Sequence, residues 1–166
     1  MYRFAIAALA LWANGAMAQE YLLKPVDATC VSSPFGPRTI RNHPEAGTFH
    51  FGLDLPAPEG SPVWAIEAGT VMKVQQNGPG GLEVLLQHKG FVGIYSHLGS
   101  VSPRVLAGRT PIAAGEFLGI VGHTGLTFGP HLYFGMLHDG FPIDPSSLFD
   151  LPRCHDTLLA GSSIMR

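Results

Sequence analysis

Leu82-Glu83-Val84-Leu85-Leu86-Gln87, the tripeptide His88-Lys89-Gly90, and Phe91-Val92-Gly93-Ile94-Tyr95-Ser96-His97 follow one another without a break. Both outer runs are too short for stable helices, the second is rich in β-branched and aromatic residues, and the glycine between them marks a turn. This is the pattern of a β-hairpin. The same reading extends outward. Pro62–Ile66 and Thr70–Gln75 are strand-like around a bend at Ala68-Gly69, and Asn77–Gly81 reads as a loop. Phe117–Val121 and His131–Leu137 read as strands, and Asp139-Gly140 turns the chain into Phe141–Ile143. Cys30–Arg38 starts as a strand and ends in a Pro/Gly turn. No long segment spaces its apolar residues at the helical period. With 21 glycines and 14 prolines in 166 residues, the chain predicts an all-β domain of antiparallel sheets.

The length suits one domain. Hydrophobic residues at 46% against 13% charged exclude a disordered, charge-rich chain. A net charge of −2 gives no electrostatic reason to expect nucleic acid or an anionic membrane as a partner. No apolar run is long enough to span a bilayer. Arg3, the apolar stretch Phe4–Ala13 and Ala16-Met17-Ala18 make the three parts of a secretory signal peptide, cut after Ala18. The expected organisation is a signal peptide at 1–18, a lead-in at 19–32, the domain at 33–150 and a tail at 151–166. The expected location is periplasmic or extracellular. An oxidising compartment invites a bridge between the two cysteines, Cys30 and Cys154. By chain entropy such a loop is worth at most about 4–5 kcal/mol.

Eight histidines invite the question of which converge. His131 and Tyr133 bracket Leu132 in a strand, so both face one side while Leu132 and Phe134 face the core. His50 and Asp54 lie four apart in HFGLD. Gly47, Pro56 and Pro58 disfavour a helix there. On a straight strand the pair would be about 13 Å apart, too far to share an ion. Convergence needs a bend, and Gly52 is the residue that permits one. His43 reads as a solvated loop residue, His88 and His138 as surface groups at hairpin turns, and His155 as part of the tail. His123, in the Gly-rich loop, reads as a groove-lining residue or a substitute ligand. Trp64 reads as core packing.

FGPR (35–38), HFGLDLPAPEGSPVWA (50–65), IYSHLG (94–99) and GHTGLTFGPHLYF (122–134), in that order, resemble the lysostaphin/LytM-type zinc metallopeptidases. The resemblance spans Ser33 to Pro145. It includes the turn Ala57-Pro58-x-Gly60-x-Pro62-Val63 and a last hairpin ending in Asp144-Pro145. It implies a compact antiparallel β-sheet domain with a narrow groove, of the duplicated hybrid motif type. It also implies Zn²⁺ as cofactor and the peptides of bacterial peptidoglycan as substrate. Carried across, His50 and Asp54 match the first two zinc ligands, and His97 and His131 the catalytic histidines. The family's third ligand is the second histidine of His-x-His, and here that position is Tyr133.

A phenol ligates well only as phenolate, and its ordinary pKa is about 10. Three expectations follow. In the first, zinc binds through His50, Asp54 and either Tyr133 or a borrowed ligand, and the chain is a peptidoglycan metalloendopeptidase. In the second, the domain binds peptidoglycan or regulates a cell-wall amidase without cleaving. The third is a phosphoryl carrier, whose fold the family's resembles, and the export signal argues against it.

Overall fold

The structure is a computed structural model and describes residues 23–154. The expected signal peptide, its cleavage site and His155 lie outside the described residues. The central hairpin forms as expected. Strand β6 (Gly81–His88) pairs antiparallel with β7 (Val92–Val101), and the His88 amide donates to the Phe91 carbonyl at 2.9 Å. Around it lie β1 (Gly36–Pro37), β2 (Phe49–His50), β3 (Gly52–Pro56), β4 (Pro62–Trp64), β5 (Gly69–Asn77), β8 (Pro111–Ile112), β9 (Phe117–Val121), β10 (His131–His138) and β11 (Phe141–Ile143). A four-residue helix, α1 (Pro103–Leu106), interrupts the series. Pro103 pre-sets its first turn, and the Ser102 hydroxyl accepts from the Val105 amide.

One antiparallel sheet runs in the order β11-β10-β7-β6-β5-β8, and β1 and β2 form a separate small ladder. Strand β10 is the hub. It pairs with β7 along one edge, and with β3 and then β11 along the other. Strand β9 pairs with the far end of β7 and with β4. Alternation places Leu53 and Leu55 of β3, Val84 and Leu86 of β6, and Leu132 and Phe134 of β10 in one buried core. Fully burying an aliphatic or aromatic side chain contributes about 1.5–3 kcal/mol, so these strand faces account for much of the drive to form the sheet.

The two ends of the described chain meet. Val26, Ala28 and Val31 are buried in the same core. Val31 bridges to Arg153, the Val31 amide donates to the Pro152 carbonyl at 2.9 Å, and the Cys154 amide to the Val31 carbonyl at 3.0 Å. Cys30 and Cys154 form the expected disulfide, 124 positions apart in sequence with Cα atoms 4.9 Å apart.

His88 corrects the reading of that residue as a surface group. It is buried, stacked on Phe91, and its Nδ1 lies 3.1 Å from the Ala68 carbonyl. Nδ1–H therefore donates, and Nε2 accepts from the Tyr95 hydroxyl at 3.3 Å. Gly69 and Gly93 leave the room: a Cβ on either would fall 2.9 Å from the imidazole. Burial lowers the His88 pKa and raises that of Tyr95. Trp64 is only half-buried. Among the described residues no helix is long and apolar enough to cross a membrane.

Candidate active site

Strand β10 presents His131 and Tyr133 on one face, as the alternation required. Tyr133 stands opposite Asp54 on β3 and opposite Ser96 on β7. The break between β2 and β3 falls at Phe51. It folds His50 back so that Nε2 lies 3.1 Å from Asp54 Oδ1. Gly52 lies inside β3, and its missing side chain serves another purpose, described below.

Simple alternation along β7 would turn His97 away from Ser96. Instead His97 has φ 64°, where a non-glycine residue is strained, and the β7 register shifts beside it. The twist brings both side chains into the same cleft. The cleft measures about 420 Å³ and is lined by His50, Asp54, His97, His131 and Tyr133, together with Arg38, Glu83 and Ser96. Phe49 and Phe51 are exposed on its rim, and Phe128 packs on His43 at 4.1 Å between ring centroids.

Each imidazole is held from behind by a carbonyl. His50 Nδ1 lies 3.1 Å from the Pro34 oxygen, His97 Nδ1 2.9 Å from that of Thr124, and His131 Nδ1 2.8 Å from that of Gly129. Donation from Nδ1–H fixes the ring orientations and leaves Nε2 of each ring as the working nitrogen. His131 Nε2 is 3.4 Å from Asp54 Oδ1, and the His97 and His131 rings are 4.7 Å apart. On the other side Arg38 places a terminal nitrogen 3.6 Å from Asp54 Oδ2 and 3.1 Å from Ser33 Oγ. Ser33 Oγ is in turn 3.2 Å from His50 Nδ1. Burial opposes a charged Asp54, but His131 and His50, which can donate from Nε2 when doubly protonated, outweigh it and hold the carboxyl well below its usual range. Burial lowers the pKa of His97, and neighbouring His131 adds to this. His131 is also buried, yet its bond to Asp54 outweighs burial and raises its pKa.

The residues read from sequence as His50, Asp54, His97, His131 and Tyr133 thus meet in one cleft. His123 does not join them; it is exposed and lines no part of the cleft. The open Gly-rich loop carries its side chain outward, so the reading of His123 as a groove residue is withdrawn. Sequence reasoning passed over Glu83, which is buried and held by Ser96 and Gln75 at 2.9 Å each. A lone carboxylate within an apolar strand was the available signal. It also passed over the contact of Arg38 with Asp54.

Zinc with three protein donors can be tested against these residues. The 3.1 Å separation of His50 Nε2 and Asp54 Oδ1 suits two donors with bonds of about 2.0–2.2 Å to one ion. Tyr133 does not complete the set. Burial, with Asp54 and Glu83 adding to it, pushes its phenol up to about 12, and its oxygen lies against Gly135, where a Cβ would meet it at 3.0 Å. Among the described residues Tyr133 has no hydrogen bond to His50 or Asp54, and no group of three or more His, Cys, Asp or Glu side chains is placed to hold a metal. The family's metal does not fit the donor set His50–Asp54–Tyr133.

Comparison with known proteins agrees with the fold. Residues 48–145 match Peptidase family M23. The DD-carboxypeptidase/endopeptidase Mpg of Neisseria meningitidis is 34% identical over 141 residues, covering 81% of this chain and 31% of that protein. The peptidoglycan DD-endopeptidase ShyC of Vibrio cholerae is 35% identical over 144 residues, covering 84% and 32%. This chain spans about a third of the length of these curated relatives. Among solved structures, a zinc-containing peptidase from Vibrio cholerae superposes with a TM-score of 0.65 at 25% identity, covering 80% of this chain and 40% of that one. The catalytic domain of lysostaphin from Staphylococcus simulans gives 0.62 at 26% identity, covering 70% and 89%.

Proposed function

Because this chain belongs to peptidase family M23, we propose that it is an exported cell-wall protein whose cleft engages the peptide part of peptidoglycan. The observation that supports this is the meeting of His50, Asp54, His97 and His131 in one cleft of about 420 Å³, in a chain similar to named peptidoglycan endopeptidases. Two buried polar atoms without partners among the described residues, Arg38 Nε and Thr127 Oγ1, belong to residues lining that cleft. Unpaired buried groups are costly, and a ligand rich in backbone amides suits such a wall.

Two outcomes share this ligand. Cleavage, as a zinc metalloendopeptidase, is supported by the retained histidines and by the relatives. Recognition without cleavage, including regulation of a cell-wall amidase, is supported by Tyr133. Purified sacculi incubated with the protein separate them. Soluble peptide-bearing fragments mean cleavage, and co-sedimentation without release means recognition. The absence of both binding and release would overturn the assignment to peptidoglycan.

A further inference from the structure

We infer that the cleft works without a resident zinc ion, because Tyr133 is lodged on a shelf made by two glycines and Asp54 is already partnered by protein groups. The ligand named here rests on the reading above; the statement about the metal does not.

The shelf follows from the register. Tyr133 stands opposite Asp54, and two residues along β10 Gly135 stands opposite Gly52. The tyrosine ring lies over this glycine pair. A methyl group on Gly52 would come within 2.7 Å of ring carbon Cζ, and one on Gly135 within 3.0 Å of the phenol oxygen. The oxygen therefore points along β10 toward Gly135, and His131 lies two residues the other way. A residue with any side chain at both positions would exclude the ring. With glycine at both, the ring packs down on the sheet beside His50, at 5.4 Å between centroids.

Removal of the third donor leaves a carboxylate that needs compensation, and the protein supplies it. His50 and His131 approach Asp54 Oδ1, and Arg38 approaches Oδ2. Ser33, His50, Asp54 and Arg38 form a closed ring of contacts of 3.2, 3.1, 3.6 and 3.1 Å. A zinc ion entering this corner would find two protein donors, His50 Nε2 and Asp54 Oδ1, and among the described residues no group of three or more His, Cys, Asp or Glu side chains to hold it. Loss of a mere outer-shell partner costs about 10–100-fold in metal affinity. Loss of a direct ligand costs at least as much.

The test is titration of metal-stripped protein with zinc by calorimetry, with the visible spectrum of added cobalt as a second readout. The natural protein is expected to show no one-to-one zinc binding at micromolar protein. Tyr133→His is expected to bind at least about a hundredfold more tightly, with the cobalt spectrum of a three-donor site. Should Tyr133→His fail to fold, the natural protein and its His50→Ala and Asp54→Ala variants decide alone. One-to-one binding by the natural protein that either variant abolishes overturns the inference. Absence of binding, or binding that survives both His50→Ala and Asp54→Ala, upholds it. Sacculus co-sedimentation in the presence of a chelator is measured separately. Failure to bind sacculi at all removes the peptidoglycan ligand and leaves the metal result standing.

Discussion

Ser96 and His97 are sequence neighbours on β7, yet both side chains face the same cleft, because His97 sits in the left-handed backbone region at φ 64°. A strand cannot do this without a local twist. The cost falls on His97. It is offset in part by the bond from Nδ1 to the Thr124 carbonyl and by the Gly122 amide, which donates to the His97 carbonyl at 3.0 Å. Residue 97 should therefore be sensitive to backbone preference rather than to size. His97→Asn, which tolerates this region, should cost about 1 kcal/mol for the lost hydrogen bond. His97→Val, β-branched and strained at positive φ, should cost a further 1–3 kcal/mol or so. Urea denaturation of the two variants measures the difference, and equal stabilities would refute the strain.

The two glycines under Tyr133 should respond differently. A Cβ on Gly52 would lie 2.6 Å from the Phe134 carbonyl oxygen as well as against the tyrosine ring, whereas the three atoms nearest a Cβ on Gly135 all belong to the Tyr133 side chain. Backbone cannot yield as a side chain can. Gly52→Ala should destabilise by about 1–3 kcal/mol, whether Tyr133 is present or replaced by alanine. Gly135→Ala should cost less, and its cost should vanish in a Tyr133→Ala background. A double-mutant cycle by thermal denaturation reads the coupling directly.

The bridge between Cys30 and Cys154 closes nearly the whole described chain. It also pins Val31 against Arg153, so the lead-in and the last described residues act as one seam. Reduction, or Cys30→Ser with Cys154→Ser, should lower unfolding stability by about 2–5 kcal/mol. The measurement is denaturation with and without reductant. Equal midpoints would show that the seam holds without the bridge.

The hairpins and core strands were legible from turn residues and alternation, because one face of each strand is buried and the pattern records it. The cleft was legible through its histidines, which motif order placed together. What stayed hidden depended on contacts distant in sequence. Phe51, not Gly52, carries the break in HFGLD; the glycine is needed because Tyr133 crosses it from another strand. His88 looked like a turn residue and is buried, because Gly69 and Gly93 on neighbouring strands open a pocket that no local pattern reveals. Arg38 reaches Asp54 across sixteen positions, through a small ladder of two-residue strands too short to leave a periodic signal.

That buried His88 gives a pH dependence whose sign can be worked out. The Ile66 amide donates to the Tyr95 oxygen, the Tyr95 hydroxyl donates to His88 Nε2, and His88 Nδ1–H donates to the Ala68 carbonyl. Every site on the ring is used by the neutral form. A second proton on Nε2 would face the Tyr95 hydroxyl and break that bond. Burial accordingly lowers the folded-state pKa from its ordinary 6.5. The unfolded chain then binds the proton first, so the stability contributed by neutral His88 is complete above about pH 6.5. It falls away as the pH drops toward and through the lowered folded value. Asp54, His97 and His131 titrate as well, so the comparison must be between variants. The stability advantage of the natural protein over His88→Phe, measured by urea denaturation, should be largest at neutral pH and above and should shrink steadily as the pH is lowered through 6. An advantage that stays constant or grows on acidification would mean that His88 is charged in the folded protein and that the chain of donors runs the other way.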